Sequence, residues 1–138
     1  TLQSGSPVGA TTQVNTTNAF NPGAQRANVL RNPTLPSSER RVERWFDTSA
    51  FALPAPFTFG NASRAVTTGP GLINLDMSLL KNFAIRERFN FQFRAEAFNL
   101  PNRVNFDDPG LALGAPNFGV ITGARAARTV QLGLRLNF

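Results

Sequence analysis

The sequence closes on a stretch, Thr129–Phe138, in which polar and apolar residues alternate without interruption. Successive side chains of a β-strand point to opposite faces, so this period of two predicts a strand and cannot be sorted onto the faces of a helix. One face would carry Val130, Leu132, Leu134, Leu136 and Phe138, and the other Thr129, Gln131, Gly133, Arg135 and Asn137. A strand this long must pair with another strand, and its apolar face must lie against something.

The same alternation occurs twice upstream. In Leu72–Leu80 the apolar positions are Ile73, Leu75, Met77 and Leu79, opposed by Asn74, Asp76 and Ser78. In Phe89–Phe98 they are Phe89, Phe91, Phe93, Ala95 and Ala97, opposed by Asn90, Gln92, Arg94 and Glu96. Each run has about ten residues, the length that a tilted strand needs to cross a bilayer core, whereas strands of soluble proteins more often have about five or six.

These runs predict an all-β chain, with antiparallel strands at about 72–81, 89–98 and 129–138. They fit either the wall of a transmembrane β-barrel or one side of a large sheet. The polar faces, rich in Asn, Asp, Ser, Gln, Arg and Glu, favour the wet lumen of a barrel. We therefore expect lipid contact on the apolar face, and we expect lumen-facing side chains at Asn74, Asp76, Gln92, Arg94, Glu96, Gln131 and Arg135.

The connections between the strands alternate in length. Residues 82–88 predict a short turn that joins the first two strands as a hairpin spanning 72–98, and a turn centred on Ile85 would place Asp76 opposite Arg94 and Met77 opposite Phe93. Residues 5–70 and 99–128 have the Gly- and Pro-rich composition of long loops. Short turns on one side and long loops on the other are typical of outer-membrane barrels.

The composition excludes several kinds of site. With no Cys and no His, the chain lacks disulfides, thiol nucleophiles, the usual zinc ligands and His-based acid–base catalysis. We expect no cofactor. The net charge of +6 comes almost wholly from arginines scattered through the loops, whereas a nucleic-acid-binding protein concentrates its basic residues on one face. The 13 Phe without any Tyr count mildly against a barrel, because aromatic girdles usually contain Trp and Tyr.

Two loop features allow more than one interpretation. Residues 37–46 could form a short helix whose Trp45 and Phe46 either anchor the loop by packing or contact a ligand at a barrel mouth. Asp107 and Asp108 could belong to a calcium site, but Asp-Asp-Pro-Gly is more simply a turn. The first residues resemble neither an initiator segment nor a signal peptide, so we expect a piece of a longer polypeptide.

Several longer motifs resemble the C-terminal barrel region of TonB-dependent outer-membrane receptors, in particular the Oar-like group, whose members carry a carboxypeptidase-regulatory-like domain. The similarity runs from about Arg26 to Phe138 and is strongest from Gly69 onward. The motifs are Trp45–Phe51, Phe59–Arg64, Gly69–Gly71, Asn74–Phe83, Phe93–Leu100 and Asn102–Phe106. The last strand is also similar to the signal that the outer-membrane assembly machinery recognises, through Gln131, Gly133, Leu136 and Phe138.

This resemblance implies a barrel of about twenty-two strands around a plug domain, in the outer membrane of a Gram-negative bacterium. It implies uptake of a substrate driven by the TonB system, which would act through parts outside this chain. These residues would supply barrel wall and extracellular loops, with residues 82–88 on the periplasmic side, and no catalysis. Expected partners are outer-membrane lipid, the rest of the same barrel with its plug, and the assembly machinery.

Two other readings stay open from the sequence. A soluble β-rich binding module, such as a sandwich with an arginine-rich ligand surface, would bury the same apolar faces against a second sheet. An enzyme would need an acid pair, for which Asp76 and Glu96 are the candidates on regular strands.

Overall fold

A computed structural model describes residues 1–18, 25–86 and 89–137 of the chain, with only the backbone of residues 85, 86 and 89. The chain divides into two compact units. The strand unit comprises Thr1–Gln3, Leu72–Asn105 and Arg125–Phe138, and the loop unit comprises Ser4–Gly71 and Phe106–Ala124.

The described residues form an all-β structure with a single 3₁₀ turn at Thr48–Ala50. Among them, no helix is long and apolar enough to cross a membrane. The strands in chain order are Leu2–Gln3 (β1), Pro7–Val8 (β2), Thr11–Thr12 (β3), Gln25–Arg26 (β4), Asn28–Val29 (β5), Phe51–Ala52 (β6), Thr67–Thr68 (β7), Leu72–Ile73 (β8), Met77–Arg86 (β9), Phe89–Phe98 (β10), Ala112–Leu113 (β11) and Thr129–Asn137 (β12).

The strand unit is built on one antiparallel sheet with the order β12-β10-β9. β9 and β10 have 10 residues each and β12 has 9, so the prediction of three long antiparallel strands is confirmed. Pairing across the sheet brings like positions together, and Leu132, Ala95 and Leu79 stand side by side in one row. One face of the sheet is therefore apolar except for Lys81, and the other is mostly polar, as the alternation predicted.

The first long strand lies further along the chain than the predicted 72–81. It occupies Met77–Arg86, while Leu72–Ile73 forms the separate short strand β8, antiparallel to β1. The ladder starts late because the Asp76 carboxylate accepts a hydrogen bond from the Asn99 backbone N–H at 2.9 Å, just beyond the end of β10. The strand extends beyond the predicted end at residue 81 because the apolar alternation resumes after Lys81, at Phe83 and Ile85.

The predicted turn at 82–88 is consequently mostly strand. β9 runs to Arg86 and β10 begins at Phe89, and residues 87–88 lie outside the described part of the chain. The predicted pairings of Met77 with Phe93 and of Asp76 with Arg94 were wrong, since Met77 stands opposite Ala97, four residues further along β10. A displacement of four is even, so it leaves every side chain on its predicted face.

The residues predicted as long loops fold into an ordered loop unit with its own core. Short strand pairs, β2 with β7, β5 with β6, and β3 with β4 and β11, occur within the long loops predicted at 5–70 and 99–128. The core consists of Ala10, Ala27, Phe46, Ala50 and Phe51. Hydrogen bonds between backbone groups far apart in sequence, such as Ala27 N–H to the Ala10 carbonyl and Ala62 N–H to the Ala27 carbonyl, hold it together.

The segment expected to be a short helix at 37–46 forms turns instead, and Asp47 caps the 3₁₀ turn that follows. Its carboxylate accepts hydrogen bonds from the hydroxyl and backbone N–H of Ser49, at 2.7 and 3.2 Å, and from Arg31 at 2.7 Å. These hydrogen bonds, the Ser49 hydroxyl first, lower the pKa of Asp47 to about 2. Asp47 therefore stays ionised and keeps its cap at neutral pH.

Candidate functional site

The polar face of the β12-β10-β9 sheet holds most of the side chains predicted to face a lumen. Gln92, Arg94, Glu96, Gln131 and Arg135 share this face with Ser78 and Asn82. Leu80 also belongs to it, opposite Arg94, because it lies between Ser78 and Asn82 in the alternation. The face is thus polar apart from Leu80, Ala84 and Phe98.

Neighbouring polar side chains on this face bond to each other. The Arg94 guanidinium donates to the Glu96 carboxylate at 2.5 Å. The Gln92 amide donates to the Asn82 side-chain oxygen at 2.9 Å across the β9–β10 pair. Arg135 donates to Asn137 along β12, at 2.9 Å. These bonds orient donors and acceptors on one surface, where they could contact a polar solute.

Asn74 and Asp76, also predicted to face the lumen, precede β9 and do not belong to the long sheet. The Asn74 side-chain amide donates to one Asp76 oxygen at 2.9 Å, and the other Asp76 oxygen accepts from Asn99. Asp76 therefore stabilises the end of β10, while Glu96 binds Arg94. The two carboxylates that an enzyme would have to combine have separate partners.

A cleft of about 570 Å³ in the strand unit brings some predicted residues together. Its lining includes Asn74, Asp76 and Gln131, with Phe98, Thr129 and Arg125 beside them. The residues that line the cleft carry a carboxylate, a guanidinium, amides and an aromatic ring. Such a set can bind a polar, uncharged or zwitterionic small molecule through hydrogen bonds.

Sequence reasoning missed Asn99 and Asn105, which line this cleft, and Asn102, which lies between them in the chain. They recur every third residue in a Pro-containing segment, and Asn99 and Asn102 have positive φ angles of 51° and 52°, a conformation that asparagine tolerates. The Asn99 side chain donates to the Arg103 and Ala126 carbonyls, and the Asn102 side chain accepts from the Arg128 N–H. The sequence signal for these residues was the regular spacing of the asparagines, but asparagines are also common in ordinary turns.

Asn105 is buried, and its side chain makes the pair of backbone hydrogen bonds that a neighbouring strand would make. Its oxygen accepts from the Ile73 N–H and its amide donates to the Ile73 carbonyl, both at 2.9 Å. The Asn105 backbone carbonyl accepts from the Arg125 N–H at 2.8 Å. One residue thereby fixes two walls of the cleft.

Replacing Asn105 with alanine is expected to lower the free energy of unfolding by about 1–3 kcal/mol, because both backbone groups of Ile73 lose their buried partner. Chemical denaturation of the wild type and variant measures the difference. Asn90→Ala is the matched control, since Asn90 is exposed on the sheet and its loss should change stability by less than about 0.5 kcal/mol. Equal stability of N105A and N90A would contradict this role of Asn105.

The opposite face of the sheet is apolar apart from Lys81, and most of its described side chains are exposed. Met77, Leu79, Phe91, Phe93, Val130, Leu132, Leu134 and Leu136 share it, and Leu132 and Leu134 are 71% and 68% exposed. Ile73 and Leu75, predicted for the same face, lie before β9. The Phe89 side chain and Phe138 lie outside the described residues.

The residues similar to an assembly signal lie on β12. Gln131 and Gly133 occupy its polar face, Leu136 occupies its apolar face, and all three pair with β10. Phe138, the last residue of the pattern, lies outside the described part of the chain. The outer edge of β12 has no partner among the described strands.

In the loop unit, Trp45 and Phe46 anchor the chain. Phe46 is buried, and the Trp45 indole N–H donates to the Thr68 carbonyl at 2.9 Å. Arg40 lies over the Trp45 ring at 5.7 Å from its centroid. The Asp108 carboxylate accepts from the Ser6 hydroxyl at 2.9 Å, in an irregular segment rather than the predicted turn. No group of three or more metal-binding side chains occurs in the described residues.

Comparison with known proteins gives one match. The family model described as "Outer membrane beta barrel domain" matches residues 1–131. Neither the curated proteins nor the solved structures contain a match. The matched range includes the strand unit through Gln131 and the whole loop unit.

Proposed function

Because the chain belongs to the outer membrane beta barrel domain family, we propose that it is the C-terminal wall and external loop region of a TonB-dependent receptor that takes up a substrate across the outer membrane of a Gram-negative bacterium. The observation that carries this proposal is the two-faced sheet. Three long strands in register present an uncovered apolar face on one side and bonded polar side chains on the other.

Exposure argues for lipid as the partner of the apolar face. A soluble sandwich would cover such a face with a second layer, yet every described residue of β12 is exposed. An apolar surface of this extent is unstable in water. In a bilayer the same residues would meet acyl chains, and the polar face would meet the wet lumen.

The cleft beside the sheet supports a role in solute contact. In the proposed barrel it lies on the side of Gln131, which belongs to the polar, lumen-facing surface. Its carboxylate, amides and guanidinium could contact a polar substrate in transit. In this reading the chain supplies wall and binding groups and performs no catalysis, while the TonB system acts on other parts of the receptor.

The receptor proposal is tested with the complete polypeptide that contains this domain. We expect it to fractionate with outer membranes and to bind the purified periplasmic domain of TonB. A protein found in the outer membrane without binding TonB would overturn the receptor assignment and leave the barrel in place. A protein found in the soluble fraction would overturn the membrane assignment as well.

The assembly signal gives a separate prediction. Deleting Phe138 in the complete protein is expected to reduce the folded amount in the outer membrane several-fold, because the assembly machinery would lose the last apolar side chain of the pattern. Quantitative immunoblotting of outer-membrane fractions measures the amount. Phe138→Ala, which keeps the chain length, should reduce the folded amount likewise, and normal insertion of the Phe138 deletion would contradict the signal.

A further inference from the structure

One residue interrupts the apolar face of the sheet. Across β9, β10 and β12, the rows on this face are Met77–Ala97–Val130, Leu79–Ala95–Leu132, Lys81–Phe93–Leu134 and Phe83–Phe91–Leu136. Within these rows Lys81 alone carries a charge. It is also the chain's only lysine.

Lys81 has no acidic partner among the described residues, whose ion pairs all involve arginine. Its ammonium lies 5.9 Å from the centroid of the Phe83 ring, and that ring packs at 6.0 Å from Phe91. Because Phe83 is the next residue on this face toward Arg86, the lysine stem runs toward the turn end of the hairpin. The ammonium therefore lies over an aromatic surface, on the side of Lys81 that faces the turn end of the hairpin.

A lysine at the centre of a lipid-facing surface is costly, by about 2–4 kcal/mol, and the cost falls toward the interface. The strand continues five residues from Lys81 to Arg86, which is roughly 13 Å along the membrane normal for a rise of about 3.4 Å per residue and a tilt of about 40°. A long lysine stem that points toward the interface covers part of this distance, and local thinning of the bilayer covers more.

We infer that Lys81 binds the phosphate of an anionic phospholipid headgroup, which is drawn down over the Phe83–Phe91 pair on the membrane face of β9. This inference rests on the proposed function, since it requires the apolar face to meet lipid. The ammonium supplies the charge that complements the phosphate. The two phenylalanine rings and Leu136 supply an apolar surface for the first part of the acyl chains.

The test measures binding of phosphatidylglycerol to the complete barrel in neutral detergent by native mass spectrometry. Lys81→Leu is expected to weaken phosphatidylglycerol binding about fivefold, because one basic residue near a membrane surface contributes about 1 kcal/mol, which is about fivefold in affinity. Lys81→Arg is expected to retain the binding. Arg135→Leu is the matched control, because it removes one positive charge from the polar face of the same sheet. Equal binding by the wild type and Lys81→Leu, or an equal loss in Arg135→Leu, would overturn the inference.

A second measurement separates this inference from the proposed function. The chain has no cysteine, so Leu132→Cys provides a single site within it for a fluorophore. Bromine atoms on lipid tails quench this fluorophore if the apolar face meets lipid. Quenching that accompanies a fivefold loss in Lys81→Leu supports the lipid site. Quenching together with unchanged phosphatidylglycerol binding in Lys81→Leu would overturn the lysine site alone. Absence of quenching, as expected if a second copy of the chain covers the face, would overturn both the lysine site and the premise that the face meets lipid.

Discussion

Replacing Leu132 with arginine is expected to lower the free energy of unfolding in lipid vesicles by about 2–4 kcal/mol, the cost of a lipid-facing arginine near the bilayer midplane. Leu132 lies in a row between those of Val130 and Leu134 on the apolar face, and it is 71% exposed. That row is further from the turn end of the hairpin than the row of Lys81. An arginine there is further than Lys81 from the headgroups at the turn end.

The control for Leu132→Arg is its neighbour in sequence. Gln131→Arg places the same side chain on the polar face, beside Glu96, and should change stability by less than about 0.5 kcal/mol. Urea titration of the complete barrel in vesicles measures both. Equal costs for the two substitutions would contradict the assignment of the faces, because a surface wet on both sides treats them alike.

The faces of the sheet could be predicted from sequence because a period of two depends only on strand geometry. The register could not. Asp76 looks like one more polar position in the alternating run, but its carboxylate is bonded to the Asn99 N–H, 23 residues away in sequence. Only the fold shows that bond, and it moves the start of β9 to Met77.

The predicted loops show a different limit of sequence reasoning. Residues of the loop unit have little periodicity, so nothing local predicts their order. Their stability comes from contacts between residues distant in sequence. Examples are the ring contact between Phe46 and Phe118 at 5.3 Å and the hydrogen bond from the Trp45 backbone N–H to the Gly119 carbonyl. The interpretation of Trp45 and Phe46 as packing anchors needed only their apolar character, whereas their partners could not be identified.

The cleft combines both limits. Gln131 was assigned to the polar face by alternation, and it does line the cleft. Asn105 was overlooked, because an asparagine in a loop usually satisfies its own local turn. Here its amide replaces a strand partner of Ile73, 32 residues away. A side chain that substitutes for backbone pairing leaves no periodic signal.

Phe46→Ala is expected to have the largest effect in the loop unit, a loss of about 3–5 kcal/mol, which is typical of a deleted core aromatic. Phe46 is 1% exposed and makes edge-on contacts with Phe51 and Phe118, at 5.6 and 5.3 Å between ring centroids. The remaining core of this unit is mostly alanine. Alanine side chains cannot move in to fill the space, so most of the cavity should persist.

Hydrogen exchange in the complete protein measures this loss locally. The amides of Ala27, Trp45 and Ala62, which bond to distant carbonyls of the loop unit, should exchange a hundredfold faster or more in Phe46→Ala, since about 1.4 kcal/mol corresponds to tenfold. Phe59→Ala is the control, because Phe59 is 83% exposed. Amides of β10 test independence: unchanged exchange there would show that the loop unit opens separately, whereas exchange that rises equally in both would show that the core around Phe46 stabilises the sheet too.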